Sequence, residues 1–343
     1  MRTIPIALLV ACSTLSSCKL FRQDSGRLVV RRNGAFEAKH VDGKPDDILS
    51  GAESGIVLPK GDGMIFVSTG GALSRLSGAP IACKVAPGAT PYGIDEAGNR
   101  FLFGVENRSA QNETVHFMDL GSCAETTLDV RGAYRGDVAS DGSEAAIGAF
   151  PSSCTELLVN RCPITLYRLR PPGSPVPTEV IRGGKRAHYQ PRYFPDDKLV
   201  FQTTELDGAC DGTVNGCRHD IVSIPLHGGP SSPLTLVRRG ALAPSISPDG
   251  KRIAYLAYMG AETSCGGKLP CTSSTLKVGD LSDDGRHDVD VVKGRVSNIT
   301  THAFSVDGRW VAFAVSTLAT PEMCRSNGGS CKTADGRLIG WLK

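Results

Sequence analysis

The sequence predicts an all-β fold built from repeated hairpins. The clearest hairpin covers residues 244–255, where Pro248, Asp249 and Gly250 form a turn between two stretches of alternating apolar residues. Proline presets the first turn angle, aspartate bonds to the backbone two residues on, and glycine tolerates a positive φ. The 40 glycines and 21 prolines of the 343-residue chain are scattered rather than clustered, as in proteins with many short strands and turns.

Five weaker copies of this hairpin occur elsewhere in the chain. Each has a turn followed by an apolar stretch, and successive copies are 35 to 58 residues apart. The equivalent turn positions are Gly63, Gly98, Gly142, Asp197, Gly250 and Gly308. One supersecondary unit per roughly 40–50 residues is the period of a propeller blade. The pattern therefore predicts a six-bladed β-propeller of four-stranded antiparallel blades.

The strongest copy also resembles a known repeat. The segment from Ser247 to Lys251, followed by Ile253-Ala254-Tyr255, is similar to the blade repeat of TolB-type β-propellers, which belong to the periplasmic part of the bacterial Tol-Pal system. It also resembles the propeller domains of prolyl oligopeptidase-like enzymes. The resemblance covers most of residues 50–316 and implies a fold rather than a function, because one fold hosts many functions.

The two ends of the chain are expected to meet in one blade. After the last repeat, residues 337–342 offer one strand, which leaves the sixth blade with three strands from the C-terminal side. A strand from residues 28–31 or 36–41 would supply the fourth and close the ring, which removes an exposed sheet edge. Residues 27–343 are therefore predicted to form a single propeller domain.

The N-terminus has the pattern of a targeting segment. Arg2 precedes an apolar stretch that is too short to span a bilayer. Residues 15–18 (LSSC) then resemble a bacterial lipobox, which implies that residues 1–17 are a signal peptide and that Cys18 carries a lipid. Residues 9–12 also fit the lipobox pattern, and an ordinary secretory signal is the other alternative.

Residues 18–26 are interpreted as a short lipidated tether. The eight residues after Cys18 span at most about 28 Å, so the folded domain would lie close to the membrane. Position 19 is lysine rather than aspartate, and the sorting rule of the lipoprotein family then implies the outer membrane. The sequence leaves open which face of that membrane the domain occupies.

Twelve cysteines indicate an oxidising compartment. Eight of them form four closely spaced pairs that begin 12 to 16 residues after a turn position, in the predicted loop between the second and third strands of a blade. These predicted local disulfides are Cys154–Cys162, Cys210–Cys217, Cys265–Cys271 and Cys324–Cys331. Cys83 and Cys123 each follow the third strand of a blade, so a bridge between neighbouring blades is a further possibility. A zinc site is not favoured, because the chain has no CxxC and no histidines at ligand spacing.

No motif for catalysis or for a cofactor is present. The chain lacks GxSxG, HExxH, P-loop and GxGxxG patterns. Lysine and arginine number 38 against 35 acidic residues, and no basic block occurs, so nucleic acid is not an expected partner. The acidic stretches 207–212 and 283–290 do not have EF-hand spacing and are interpreted as surface turns.

One group of residues indicates a binding site. If the first strand of each blade lines the central axis, polar and aromatic residues on these strands converge at one mouth of the channel. The candidates are Tyr92, Arg135, Asp137, His188, Tyr189, Arg192 and His302.

The expected function is non-enzymatic binding of an envelope protein or peptide, with no cofactor. Two alternatives remain, an envelope hydrolase or lyase that uses Asp137 with His188 or His302, and a purely structural component.

Overall fold

The computed structural model shows a chain made of β-strands. It describes residues 26–33, 35–40, 45–76, 80–107, 112–154, 163–172, 177–181, 183–194, 198–205, 219–226, 233–262, 271–283, 285–292, 296–297, 299–315 and 321–343. All regular elements in these ranges are strands, so the described part contains no helix that could cross a membrane.

The strands follow one another with short turns. In chain order the first are β1 (Arg27–Arg32), β2 (Ala35–His40), β3 (Pro45–Ser50), β4 (Ala52–Val57), β5 (Met64–Ser68), β6 (Leu73–Arg75), β7 (Thr90–Ile94), β8 (Arg100–Asn107) and β9 (Asn112–Asp119). The central ones are β10 (Glu125–Val138), β11 (Ala145–Pro151), β12 (Thr165–Leu169), β13 (Thr178–Ile181), β14 (Arg186–Phe194), β15 (Lys198–Glu205), β16 (His219–Pro225) and β17 (Thr235–Arg239). The last are β18 (Ala241–Ile246), β19 (Arg252–Glu262), β20 (Cys271–Asp280), β21 (Val289–Asp290), β22 (Val296–Ser297), β23 (Ile299–Phe304), β24 (Trp310–Val315), β25 (Glu322–Arg325), β26 (Cys331–Thr333) and β27 (Arg337–Leu342).

Antiparallel pairing groups these strands into blades. Blade 1 is β4-β5-β6, blade 4 is β14 to β17, blade 5 is β18 to β21 with β22 beside β20, and blade 6 is β23 to β26. The sheet from β7 to β13 holds two blades, because β10 pairs with β9 up to Val130 and with β11 from Val130 onward. Blade 2 is therefore β7 to β9 with the first part of β10, and blade 3 is the second part of β10 with β11 to β13. Blade 7 has the order β27-β1-β2-β3.

The blades form a closed ring. The first, or inner, strands contact one another in the cyclic order β27, β4, β7, β10, β14, β18, β23 and back to β27. Each of the seven interfaces between neighbouring blades contains a hydrophobic cluster. At the interface of blades 7 and 1, Phe36 meets Phe66 with ring centroids 5.1 Å apart, and at that of blades 6 and 7 Trp310 packs with Leu28. The core therefore lies between blades, and the inner strands surround a common axis.

Two parts of the predicted fold need correction. The blade count is seven rather than six, because the turn motif marks only blades whose first two strands are joined by a hairpin. In blade 7 the first strand, β27, and the second, β1, come from opposite ends of the chain and pair with Arg27 opposite Leu342. This sheet also combines one C-terminal strand with three N-terminal strands, the reverse of the predicted proportion.

The turn that predicts the repeat has the expected geometry. Gly250 has a φ of 69°, its N–H donates to the carbonyl of Ser247 at 2.8 Å, and the Lys251 N–H donates to the Asp249 carboxylate at 3.2 Å. Arg252, the first residue of β19, donates to the carbonyl of Gly308 in the equivalent turn of blade 6 at 2.6 Å. The repeated turn thus also connects neighbouring blades. The turn of the fourth copy, at 195–197, lies outside the described residues.

Two of the expected disulfides are present among the described residues. Cys83 and Cys123 are bonded and join blade 1 to blade 2. Cys324 and Cys331 are also bonded, but they face each other on β25 and β26, the third and fourth strands, and not in the loop before β25. The prediction placed both cysteines before the third strand. That strand, β25, already begins at Glu322, two residues before Cys324.

The other cysteines are only partly described. Cys154 is disulfide-bonded and follows β11 as predicted, while its expected partner Cys162 lies outside the described residues. Cys18, Cys210, Cys217 and Cys265 also lie outside them, and the side chain of Cys271 is not described. These pairings therefore stay predictions.

Candidate functional site

A β-bulge interrupts the inner strand of every blade. The pairing register with the neighbouring strand shifts at Glu53, at Tyr92, at Tyr134-Arg135, at Gln190-Pro191, at Ala243-Pro244, at Thr300 and at Ile339. A bulge inserts an unpaired residue and changes the direction of nearby side chains. The side chains around the axis therefore do not follow the simple alternation of a regular strand.

The inner strands carry more positive than negative charge. If β10 is counted from Val130, where it becomes the inner strand of blade 3, the seven inner strands contain five arginines and no lysine. They contain only two acidic residues, Glu53 and Asp137. The whole chain is close to neutral, with a formal charge of +3, so the positive charge is concentrated on these strands.

The charges of two arginines act on a third arginine from another blade. The pKa of Arg135 on β10 is lowered to about 10, first by burial and in the same direction by the positive charges of Arg192 on β14 and Arg337 on β27. We name Arg135, Arg192 and Arg337 the axial arginine cluster. Its members are 57 to 202 residues apart in sequence, and the closed ring brings their charges together.

Asp137 and Arg192 join blades 3 and 4 beside this cluster. The Arg192 Nη1 donates to the carbonyl of Gly136 at 3.0 Å, and the Tyr193 N–H donates to Asp137 Oδ2 at 2.9 Å. Burial raises the pKa of the Asp137 carboxyl, against the opposite effects of Arg192 and of backbone hydrogen bonds. The two side chains thus hold the inner strands together and are not paired with each other in an ion pair.

His302 is neutral at physiological pH. It is 8% exposed, and its Nε2 donates to the carbonyl of Ala254 at 3.2 Å. Burial lowers its pKa to about 4, and the charges of Arg135 and Arg192 act in the same direction. The charges of Arg135 and Arg192 therefore act on His302, and the neutral imidazole adds no positive charge to the axial arginine cluster.

Three other predicted residues point into the packing between strands and blades. Tyr92 packs on the cluster between blades 2 and 3, and its hydroxyl donates to Glu113. His188 is 1% exposed and meets the ring of Phe201 edge-on at 5.5 Å. Tyr189 is 7% exposed, and burial raises the pKa of its hydroxyl. These side chains lie on inner strands and are buried or half-buried in contacts with other residues of the blades.

Two residues of the site were missed in the sequence. Tyr134, next to Arg135 in the bulge of β10, is 38% exposed, and its ring centroid lies 5.4 Å from Tyr189 and 5.8 Å from Phe150. Its exposure depends on the bulge in β10, and the alternating pattern of a regular strand does not predict that bulge. Arg337 was missed because it starts the inner strand of the seventh blade, which the turn motif does not mark.

One group in the described ranges has the spacing of a metal site. Ligand atoms of Glu322, Cys324 and Cys331 lie within 4.8 Å of one another. The two sulfur atoms are bonded to each other, however, so they offer no thiolates to a metal ion. We assign no metal to this group.

No protein-family model and no curated protein matches the chain. Solved structures do match. The chain is similar to TolB from Acinetobacter baumannii, with a TM-score of 0.52, 14% identity, and 93% of this chain and 67% of that one covered. It is similar to the β-propeller domain of Cps50 (Swd1) from Myceliophteria thermophila, with a TM-score of 0.50, 14% identity, and coverage of 84% and 88%.

The fold is that of a β-propeller. The chain is also similar to a prolyl endopeptidase, with a TM-score of 0.54 and 14% identity, but it spans only half of that enzyme's length. At these identities the likeness shows the fold alone. The function of this propeller therefore has to be inferred from its own residues.

Proposed function

We propose that this propeller is a lipid-anchored protein of the bacterial outer membrane that binds an envelope protein or peptide at its axial mouth, without catalysis. What supports the proposal is that the charges of Arg192 and Arg337, from blades 4 and 7, act on Arg135 of blade 3, which follows the exposed Tyr134 in sequence. Arginine and tyrosine are frequent anchors of protein interfaces, because they combine a large contact area with hydrogen-bonding groups.

The geometry favours binding over catalysis. A general base must lie within hydrogen-bond reach of the proton that it removes. His302 uses its Nε2 on the Ala254 carbonyl, His188 is packed against Phe201, and Asp137 accepts from the Tyr193 N–H. None of the predicted acid–base pairs is therefore assembled at the mouth, and the likeness to a prolyl endopeptidase supplies no catalytic residue.

The proposed anchor and Arg337 lie at opposite ends of β27. The tether at 18–26 reaches the domain at Gly26, where a Cβ would lie 2.2 Å from the Leu342 carbonyl oxygen. In the same strand pair, Arg31 stands opposite Arg337, five residues away from Leu342, which corresponds to about 17 Å of strand. Arg337 would therefore lie away from the lipid, whereas Arg135 and Arg192 are three and two residues from the ends of β10 and β14 that correspond to Leu342.

The lipid anchor can be tested at Cys18. We expect the Cys18→Ala variant to move from the membrane fraction to the soluble envelope fraction, or to accumulate uncleaved, because the acylated thiol is lost. Fractionation of cells followed by intact-mass measurement of the processed chain reports both outcomes. A variant that is cleaved normally and stays as membrane-bound as the parent would remove the anchor from the proposal.

The binding site can be tested at Arg135. We expect Arg135→Ala to reduce capture of the partner from a detergent-solubilised envelope extract by about tenfold, because a buried hydrogen-bonded charge contributes more than 1.4 kcal/mol to an interface. Arg239→Ala is the matched control, since it removes the same charge from the outer strand β17. The opposite result would contradict the axial site. If Arg135→Ala captures as much partner as the parent protein and Arg239→Ala captures less, the partner binds at the outer rim. Tyr189→Ala is unsuited to this test, because the buried ring supports the fold.

A further inference from the structure

We infer that Glu113 is a positioning residue for Tyr134, whose exposed ring it holds in place for a partner by fixing the backbone of β10. This inference rests on the proposed function and adds the residue that sets the position of one of its anchors. Tyr134 lies in the bulge of β10 between Ala133 and Gly136, where the pairing with β11 is interrupted. A bulged residue is unpaired in the ladder, so another contact has to fix the backbone next to it.

Glu113 supplies this contact at the point where β10 changes its partner strand. It is the last residue of β9 to pair with β10, opposite Val130, and from Val130 onward β10 pairs with β11. The Glu113 side chain continues the connection beyond the ladder, because its Oε2 accepts the N–H of Ala133 at 2.8 Å. Ala133 directly precedes Tyr134, so the hydrogen bond fixes the chain one residue before the exposed ring.

Two neighbours hold the carboxyl group of Glu113 itself. The Tyr92 hydroxyl donates to its Oε1 from the bulge of β7, so one carboxyl group joins the bulges of two neighbouring inner strands. Gly104 on β8 leaves the space for this contact, because a Cβ there would overlap with Glu113 Oε1 and lie 2.6 Å from Tyr92 Cε2. Each oxygen of the half-buried Glu113 therefore accepts a hydrogen bond, which restricts the side chain to one position.

The ring of Tyr134 is supported by other rings. Its centroid lies 5.4 Å from that of Tyr189 and 5.8 Å from that of Phe150, while 38% of the residue stays exposed. With its backbone fixed at Ala133 and its ring packed on two aromatic neighbours, Tyr134 is preorganised before a partner arrives. Preorganisation lowers the ordering cost of association, so losing it weakens binding even when every contact atom is still present.

A double-mutant cycle on partner capture tests this role. Glu113→Ala removes the acceptor of the Ala133 N–H and is expected to reduce capture from the envelope extract about fivefold. Glu113→Gln keeps an oxygen for that N–H and is expected to retain most of the capture. Thr114→Ala is the matched control, since it removes the exposed Thr114–Asp129 hydrogen bond between the same two strands and should change capture less than about twofold. When Tyr134 is already alanine, Glu113→Ala should cause no further loss, because residues that act through one another are not additive.

A second measurement needs no partner. A fluorinated tyrosine is placed at position 134 of the full-length oxidised protein, and its fluorine resonance is recorded in detergent below the thermal midpoint of each variant. We expect the same resonance in the parent, Glu113→Gln and Thr114→Ala proteins, and a shifted or broadened resonance in Glu113→Ala.

Two results would overturn the inference. One is an unchanged fluorine resonance in Glu113→Ala, and the other is an equal loss of capture on Glu113→Ala with and without the Tyr134 side chain, which a general effect on the fold would produce. Failure of the proposed function is a different result, because capture would then not respond to Arg135→Ala while the resonance still reports how Glu113 positions the ring.

Discussion

Replacing Asp288 with alanine is expected to lower the free energy of unfolding by about 3–5 kcal/mol, because it leaves a buried guanidinium without its charge partner. Asp288 accepts from Arg238 Nε at 2.7 Å and Nη2 at 3.1 Å, and both side chains are only 2% exposed. The Tyr255 hydroxyl donates to the same carboxylate. The pair joins β17 of blade 4 to the turn after β20 in blade 5. Urea denaturation of the oxidised protein measures the effect.

A nearby exposed pair provides the control for this substitution. Asp290 lies two residues further and pairs with Lys277 at 3.1 Å, but its side chain is 57% exposed. Asp290→Ala is expected to cost less than about 1 kcal/mol, because water screens an exposed ion pair. Equal losses for the two variants would show that the Arg238–Asp288 pair does not act as a buried connection between blades.

The acidic stretch around Asp288 shows where composition misleads. The sequence interpretation placed 283–290 in surface turns, which is correct for the exposed His287, whereas the exposed Asp290 lies in β21. Asp288 is buried because Arg238, 50 residues earlier, reaches it from the neighbouring blade. Such a pair joins different repeats, so no local pattern reveals it.

The fold was predictable where one blade is one local unit. The Pro248-Asp249-Gly250 turn and its copies mark six blades, and the bridge between Cys83 and Cys123, which their positions after third strands left as a possibility, is present. The seventh blade was missed because β27 and β1 are at opposite ends of the chain and share no turn. Its strands β1 and β2 were recognised, but their pairing is a long-range property.

The sequence predicts which strands carry the candidate residues better than it predicts the directions of their side chains. The inner strands contact one another around the axis, and the charges of Arg135 and Arg192 act on His302, but binding at this place stays a prediction. The directions of the side chains depend on the bulges, which are set by contacts between strands. Tyr189 therefore turns into the packing, while its neighbour in space, Tyr134, stays exposed.

The most direct test of partner binding at the axial mouth is site-specific photocrosslinking in intact bacterial cells. A benzophenone amino acid replaces Tyr134 at the inner strand β10 or Leu236 at the outer strand β17, which are 38% and 48% exposed. The proposed function predicts an adduct with an envelope protein from position 134, its loss when Arg135→Ala is added, and no adduct from position 236. An adduct from position 236 with none from position 134 would contradict the axial site and place the partner on the outer rim.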